Sequence, residues 1–308
     1  MKFILSASLL ALSLGVSPSH AEPFSINDAL KQAIQTNPGV GEASANRRAT
    51  ESELRQTQGT LLPQVRLEAN AGPERFTQNI VPAPTGSGTT MHGRYASVVV
   101  RQLLFDGFTS INEVWRQSAR VNASAYRVRE RTELIALDAA EAYIDVVRYT
   151  RLVELARQNV ANHEAIFNNV ESRYKGGRSG EGDLQQALER VEAAKAALAE
   201  FERSLEDARA KYRKVVGVEP YNLRFPGTLK GMPTSKDASL AVAIHHNATL
   251  QASQADTDAA RHAFHATAGS FVPTVSLEGR ASRGINSDTY VGRRDDVSGH
   301  VVMSWDIF

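Results

Sequence analysis

The sequence predicts an α+β membrane protein. Long helices with a coiled-coil seam build a helical barrel, and this joins a transmembrane β-barrel to which each protomer gives two hairpins. Three observations predict it. The chain opens on an export signal, it repeats itself at a fixed offset, and it sets amphipathic strands of about ten residues beside unusually long helical runs.

The signal comes first. Lys2 is its positive end, residues 3–16 are a short apolar stretch, and Ser19-His20-Ala21 is a small-x-small cleavage site. Residues 1–21 therefore read as a signal peptide, and the mature chain begins at Glu22. No run of 18 apolar residues follows, so the mature chain would cross a membrane only with strands. The 308 residues carry a net charge of +1, which gives no field to attract nucleic acid. Cysteine is absent, which removes both a disulfide framework and a lipid anchor.

The repeat is read by alignment. The segment Leu30 to Asn37 matches Leu240 to Asn247 at an offset of 210, and the same offset lays Pro63 on Pro273, Val65 on Val275, Leu67 on Leu277 and Glu68 on Glu278. Phe105 matches Phe308 at an offset of 203, so the second hairpin loop is seven residues shorter. Residues 22–235 form a first structural repeat, and residues 236–308 an incomplete second one.

Within the first repeat, Ser25 caps a helix, with Asp28 three residues on. Pro38 and Gly39 kink or break this helix near its start, and Pro63 ends it. From Gln64 the period becomes two, with Val65, Leu67, Ala69 and Ala71 on one face. Residues 73–94 read as a loop and 95–105 as a second strand, so the first hairpin spans 64–105. In the second repeat one helix is expected over 237–269. The hairpin of 274–308 then divides into strand 274–282, polar loop 283–296 and strand 297–308.

Long helices fill 106–216. The first, to about Tyr174, holds no proline and spans about 100 Å at 1.5 Å per residue. A glycine-rich turn, Gly176 to Gly182, leads to Asp183, whose carboxylate suits the free N–H groups of a helix start. The return helix spaces Leu184, Leu188, Val191, Ala194, Leu198, Phe201, Leu205, Ala208, Tyr212 and Val215 by threes and fours, a coiled-coil seam. One long helix down and two stacked helices back return the chain to the level of the first hairpin. All strands then lie at one end.

Strand length and alternation alone also suit a soluble hairpin with one wet face. The flanking helices and the repeat favour the membrane. Four strands cannot close a barrel, and an open edge is not tolerated in hydrocarbon, so several copies must share one barrel.

The order Ala33-x-x-x-Asn37-Pro38, Leu62-Pro63-x-Val65, Leu104-Phe105-Asp106-Gly107 and the glycine-rich turn before Asp183-Leu184-x-x-Ala187 resembles the TolC-type outer membrane efflux protein family. The likeness covers nearly all of the mature chain. It implies a homotrimer with a twelve-stranded barrel in outer membrane lipid and a helical tunnel through the periplasm of a Gram-negative bacterium. It implies the exit duct of a tripartite export system, passive and without cofactor, docked through a periplasmic adaptor (membrane fusion) protein to an inner-membrane transporter. The segment Tyr174 to Ala187 resembles the tip that meets the adaptor, which marks Gly176, Gly177, Arg178, Ser179, Asp183 and Leu184 as adaptor-contacting residues. Strand alternation marks Val65, Leu67, Val275 and Leu277 as membrane-facing. The turn and Ala210 to Gly217 are more like the type I protein-secretion branch than the drug-efflux lipoproteins. In the family a second helical pair follows the second hairpin, and here it is missing. A C-terminally truncated member is expected, with a complete length of roughly 440 residues and no channel from this chain alone.

No enzyme chemistry emerges. His262 and His265 share a helix face, and His245 and His246 stand nearby, but no metal-protease spacing surrounds them. The glycine-rich turn lacks the strand and the Lys-Ser or Lys-Thr of a phosphate loop. The rival reading is a soluble periplasmic coiled-coil adaptor or scaffold, which leaves the paired hairpins unexplained.

Overall fold

A computed structural model describes residues 24–75, 77, 88, 90–227, 231–287 and 291–307. The signal peptide, most of the first hairpin loop and Phe308 lie outside the described residues. The elements in chain order are α1 (Ile26–Thr36), α2 (Pro38–Gly59), β1 (Gln64–Arg75), β2 (Thr90–Phe105), α3 (Thr109–Lys175), α4 (Glu181–Val216), α5 (Lys236–His246), α6 (Ala248–Gly269), β3 (Thr274–Ile285) and β4 (Arg293–Ser304).

The repeat is written into the element ends. α1, α2 and β1 recur as α5, α6 and β3, each 210 residues later, and β4 begins 203 residues after β2. The caps recur as well. Asn37 Oδ1 accepts from Gly39 N at 2.9 Å, and Asn247 Oδ1 accepts from Leu250 N at 2.8 Å. Ser25 Oγ accepts from Asp28 N, and Ser235 Oγ from Ala238 N.

Two expectations need correction. The helix expected over 237–269 is two helices, broken at Asn247, where ψ is 112°. Pro38 announces the matching break in the first repeat; Ala248 announces nothing, and the capping asparagine alone turns the chain. The hairpin loops are also shorter than expected, because the strands run on through polar residues. β3 continues past Ser282 to Ile285, β4 starts at Arg293, β1 reaches Arg75, and β2 starts at Thr90. Ladder hydrogen bonds persist where apolar alternation stops.

The chain divides into two compact units. One holds residues 1–35 and 136–228, the other residues 36–135 and 229–308, and the division falls within α3.

In the first unit, α3 buries Ala139, Ala142, Tyr143, Val146, Val153 and Ala156, and α1 buries Ala29 and Ala33. α4 buries Ala187, Val191, Ala194, Leu205, Ala208, Tyr212 and Val216. The seam thus drifts from the expected one at both ends: Ala187 is buried where Leu188 is exposed, and Val216 is buried where Val215 is half-buried. A straight helix of 3.6 residues per turn slides off a 3.5-residue repeat in this way. Ion pairs Arg157–Glu202 at 2.9 Å and Lys211–Glu141 at 3.5 Å join α3 and α4.

Two buried tyrosines of this unit have opposite roles. The Tyr143 hydroxyl lies 3.0 Å from Phe24 O and 2.8 Å from Arg224 O, and it accepts from Arg224 N at 2.9 Å. It ties α3 to the segments before α1 and after α4. The Tyr212 hydroxyl is buried without a hydrogen-bond partner among the described residues, and burial pushes its pKa up to about 12. Tyr143→Phe is expected to cost about 1 kcal/mol, since it removes the hydrogen bonds of part-buried backbone groups of Phe24 and Arg224. Tyr212→Phe should be neutral or stabilising. Urea unfolding of the two variants, followed by circular dichroism, checks the difference.

The second unit contains a four-stranded antiparallel sheet in the order β1-β2-β3-β4, together with α2, α5, α6 and the first part of α3. Arg120–Glu53 at 3.1 Å ties α3 to α2, and Arg127–Asp256 at 2.5 Å ties α3 to α6. α6 buries Ala252, Ala255, Ala259 and Ala266, small residues that let helices approach closely. Where β2 passes into α3, Gly107 lies against Gly269 so closely that a Cβ on Gly107 would stand 2.5 Å from Gly269 O.

Candidate membrane face and helix tip

Strand register decides which residues share a face, because directly opposed residues in a sheet point the same way. Val65 opposes Val100, which opposes Gly279, which opposes Gly299. Leu67, Val98, Ala281 and Val297 form the next row. Toward the helices, Leu277 opposes Val301, and Val275 opposes Met303. One face of the sheet is therefore an apolar band, interrupted by Gln102 of β2 beside Leu277. Leu67 is 75% exposed and Val297 85% exposed, so no described residue covers the band. Along β3 the band runs from Val275 to Ala281, about 20 Å at about 3.3 Å per residue, and Arg283 follows it on the same face.

The opposite face is polar. Gln64, Arg101, Glu278 and His300 form one row across the sheet, and Glu68, Ser97, Ser282 and Asp296 another. Arg101 pairs with Glu278 at 3.4 Å and Arg294 with Asp296 at 3.5 Å. Below the band, at the helix end, exposed aromatics gather. Phe105 meets Phe108 edge-on at 5.6 Å, and Trp305 Nε1 donates to Phe271 O at 3.2 Å.

All four residues expected to face the membrane lie on the apolar face, Val65, Leu67 and Leu277 exposed and Val275 half-buried. Sequence reading missed their partners Val98, Val100, Val297, Val301 and Met303. The run Val98-Val99-Val100 hides the alternation, and only the register sorts it.

The residues expected at the helix tip are brought together by two interlocked caps. Arg178 N donates to Arg173 O at 2.8 Å, and Gly177 N to Tyr174 O at 2.9 Å. This pair of bonds closes α3, and it needs the left-handed conformation that Gly177 adopts at φ +71°. Asp183 opens α4 by accepting from Ser179 Oγ at 2.8 Å and from Gly180 N at 3.3 Å. The Ser179 hydroxyl, then the Gly180 N–H, hold its carboxyl below the usual range. Gly176, Gly177, Arg178 and Asp183 are exposed, and Ser179 and Leu184 half-buried. Asp183→Ala is expected to raise amide hydrogen exchange at residues 180–184 several-fold at neutral pH. Because the folded carboxyl is the stronger acid, the contribution is present above its unfolded pKa and lost as pH falls through the folded one. Wild type and variant should therefore exchange alike in strong acid.

The histidines are dispersed. His262 stacks on Trp115 at 5.5 Å and its Nδ1 lies 3.4 Å from Asn112 Oδ1, whereas His265 meets Phe264. His245 and His246 lie in the last turn of α5. Among the described residues no group of three His, Cys, Asp or Glu could hold a metal ion, and no helix is long and apolar enough to cross a membrane.

The family model described as outer membrane efflux protein matches residues 29–218, more than half of the chain. The chain belongs to the outer membrane efflux protein family. The outer membrane efflux protein BepC of Brucella suis is 24% identical over 282 residues, covering 92% of this chain and 60% of its own length. The outer membrane protein TolC of Escherichia coli is 23% identical over 298 residues, covering 93% and 57%. The chain thus spans about 60% of the length of these relatives. Among solved structures, the outer membrane protein VceC of Vibrio cholerae superposes with a TM-score of 0.78 at 16% identity, covering 92% of this chain and 68% of that one. The open MtrE outer membrane channel of Neisseria gonorrhoeae gives 0.73 at 16% identity, covering 92% and 63%. The fold is that of these channels: a helical barrel part joined to a β-barrel part. As a family member, the protein resides in the Gram-negative outer membrane with its helices in the periplasm. The soluble scaffold reading falls with this membership.

Proposed function

We propose that this protein contributes to the outer membrane exit duct of a tripartite export system, a passive tunnel shared by three copies. The observation that carries the reading is the sheet. It has an apolar face that no described residue covers, a polar opposite face, and outer edges on β1 and β4 that no described strand pairs. Closure by further copies satisfies those edges, turns the apolar face to lipid and lines the interior with the polar one. Val65, Leu67, Val275 and Leu277 meet hydrocarbon, and the aromatics near Trp305 sit at the periplasmic interface. Gly176, Gly177, Arg178, Ser179, Asp183 and Leu184 present the tip to a periplasmic adaptor, which links the duct to an inner-membrane transporter. Type I protein secretion is the branch favoured by the wording of the tip.

The chain has no cysteine, so pairs placed one on β1 and one on β4 report contacts between copies. A scan across Arg66 or Glu68 with Ser298 or His300 in outer membranes is expected to give disulfide-linked species up to trimers on non-reducing gels. Monomers alone at every pairing would overturn the reading.

A further inference from the structure

Beyond the apolar band, the lengthened strands carry arginine on the same face. Arg94 of β2 opposes Ile285 of β3, which opposes Arg293 of β4, and in the preceding row Ala96, Arg283 and Asp295 align. Three guanidinium groups therefore share a small area at the turn end of the sheet, with strands about 4.8 Å apart. Asp295 accepts from Arg283 Nε at 2.7 Å and from Arg293 Nε at 3.0 Å and Nη2 at 2.7 Å. It fixes two arginines side by side and leaves the cluster with two net positive charges. Arg94 is exposed and makes no ion pair among the described residues. Ile285, between the arginines, is 42% exposed.

Arginine directly over a lipid-facing band is tolerated at headgroup depth, where the cost of its charge falls away. Guanidinium forks match phosphate oxygens two at a time. An exposed isoleucine among them suits the first carbons of an acyl chain and is out of place for a free anion. We propose that Arg94, Arg283 and Arg293 clamp the phosphate of an anionic outer-leaflet lipid, with Ile285 packed under its acyl root. The clamp rests on the reading that this face meets lipid, with the helices on the periplasmic side and the arginines at the opposite end of the strands.

The test uses protein extracted from outer membranes in mild detergent, as wild type, Arg94→Gln and the triple variant Arg94→Gln/Arg283→Gln/Arg293→Gln. Diphosphorylated lipid A, its dephosphorylated form and inorganic phosphate are the probes, and native mass spectrometry reads the bound lipid. Diphosphorylated lipid A is expected to bind wild type about tenfold more tightly than the triple variant, with Arg94→Gln in between. Dephosphorylated lipid A should not distinguish the three proteins, and millimolar inorganic phosphate should not displace the lipid. Equal binding of diphosphorylated lipid A by all three overturns the clamp, and displacement by inorganic phosphate overturns the lipid as its occupant. Outer-membrane fractionation separates the two levels. If wild type washes off the membrane, the duct reading fails and the clamp with it. If all three stay in the membrane and the arginines make no difference, the clamp alone fails.

Discussion

Val65→Arg is expected to keep the protein out of the outer membrane. Val65 stands mid-band, in the row with Val100, Gly279 and Gly299, and is 69% exposed. A guanidinium at the bilayer midplane of a barrel costs about 2–4 kcal/mol, and the proposed barrel of three copies carries the cost three times. Such a total rivals the whole stability of an ordinary domain. The matching change on the other face, Arg66→Gln, alters an exposed residue whose ion-pair partner, Glu68, is 3.7 Å away, and assembly should survive. Membrane fractionation of the two variants, with the unheated gel mobility of each, measures the contrast. Equal behaviour would mean that the apolar face does not meet lipid.

Gly107→Ala should be the most damaging of the small substitutions. Gly107 has φ +67°, where a Cβ is strained, and that Cβ would lie 2.1 Å from Val272 Cγ2 and 2.5 Å from Gly269 O. Backbone cannot retreat as a flexible side chain can. Left-handed strain of about 1–2 kcal/mol and overpacking of about 1–3 kcal/mol act together, and about 3 kcal/mol of lost stability is expected. Gly269→Ala meets the same contact from the other side, with Thr109 Oγ1 at 2.3 Å and Gly107 O at 2.6 Å. Gly59, the counterpart of Gly269 in the first repeat, has nothing within 4 Å. Gly59→Ala should therefore be neutral or slightly stabilising, since alanine is the better helix former. Denaturant midpoints for the three variants give the ranking. A Gly107→Ala midpoint equal to that of Gly59→Ala would show that the strand-to-helix junction is not closely packed.

The sequence determined by itself whatever depends on local chemistry and on repetition. Pro38 and Pro63 punctuate the first helices, Asp183 starts α4, and the alternation of β1 names one face of the sheet. The copy of Val65 and Leu67 at Val275 and Leu277 says that the face is used twice. These signals were legible because each acts within a few residues. Tertiary structure alone decided the rest. Asn247 breaks a helix with no proline beside it, and the burial seam of α4 moves to Ala187 and Val216 because a straight helix does not keep a heptad. Gly107 and Gly269, far apart in the chain, meet at a contact that no local pattern announces. The arginines at the turn end looked like loop because apolar alternation stops there, yet the strands continue, since backbone hydrogen bonds between neighbours require no apolar side chain. Which residues point to one side was settled by the pairing of distant strands, and period two in a single strand cannot supply that register.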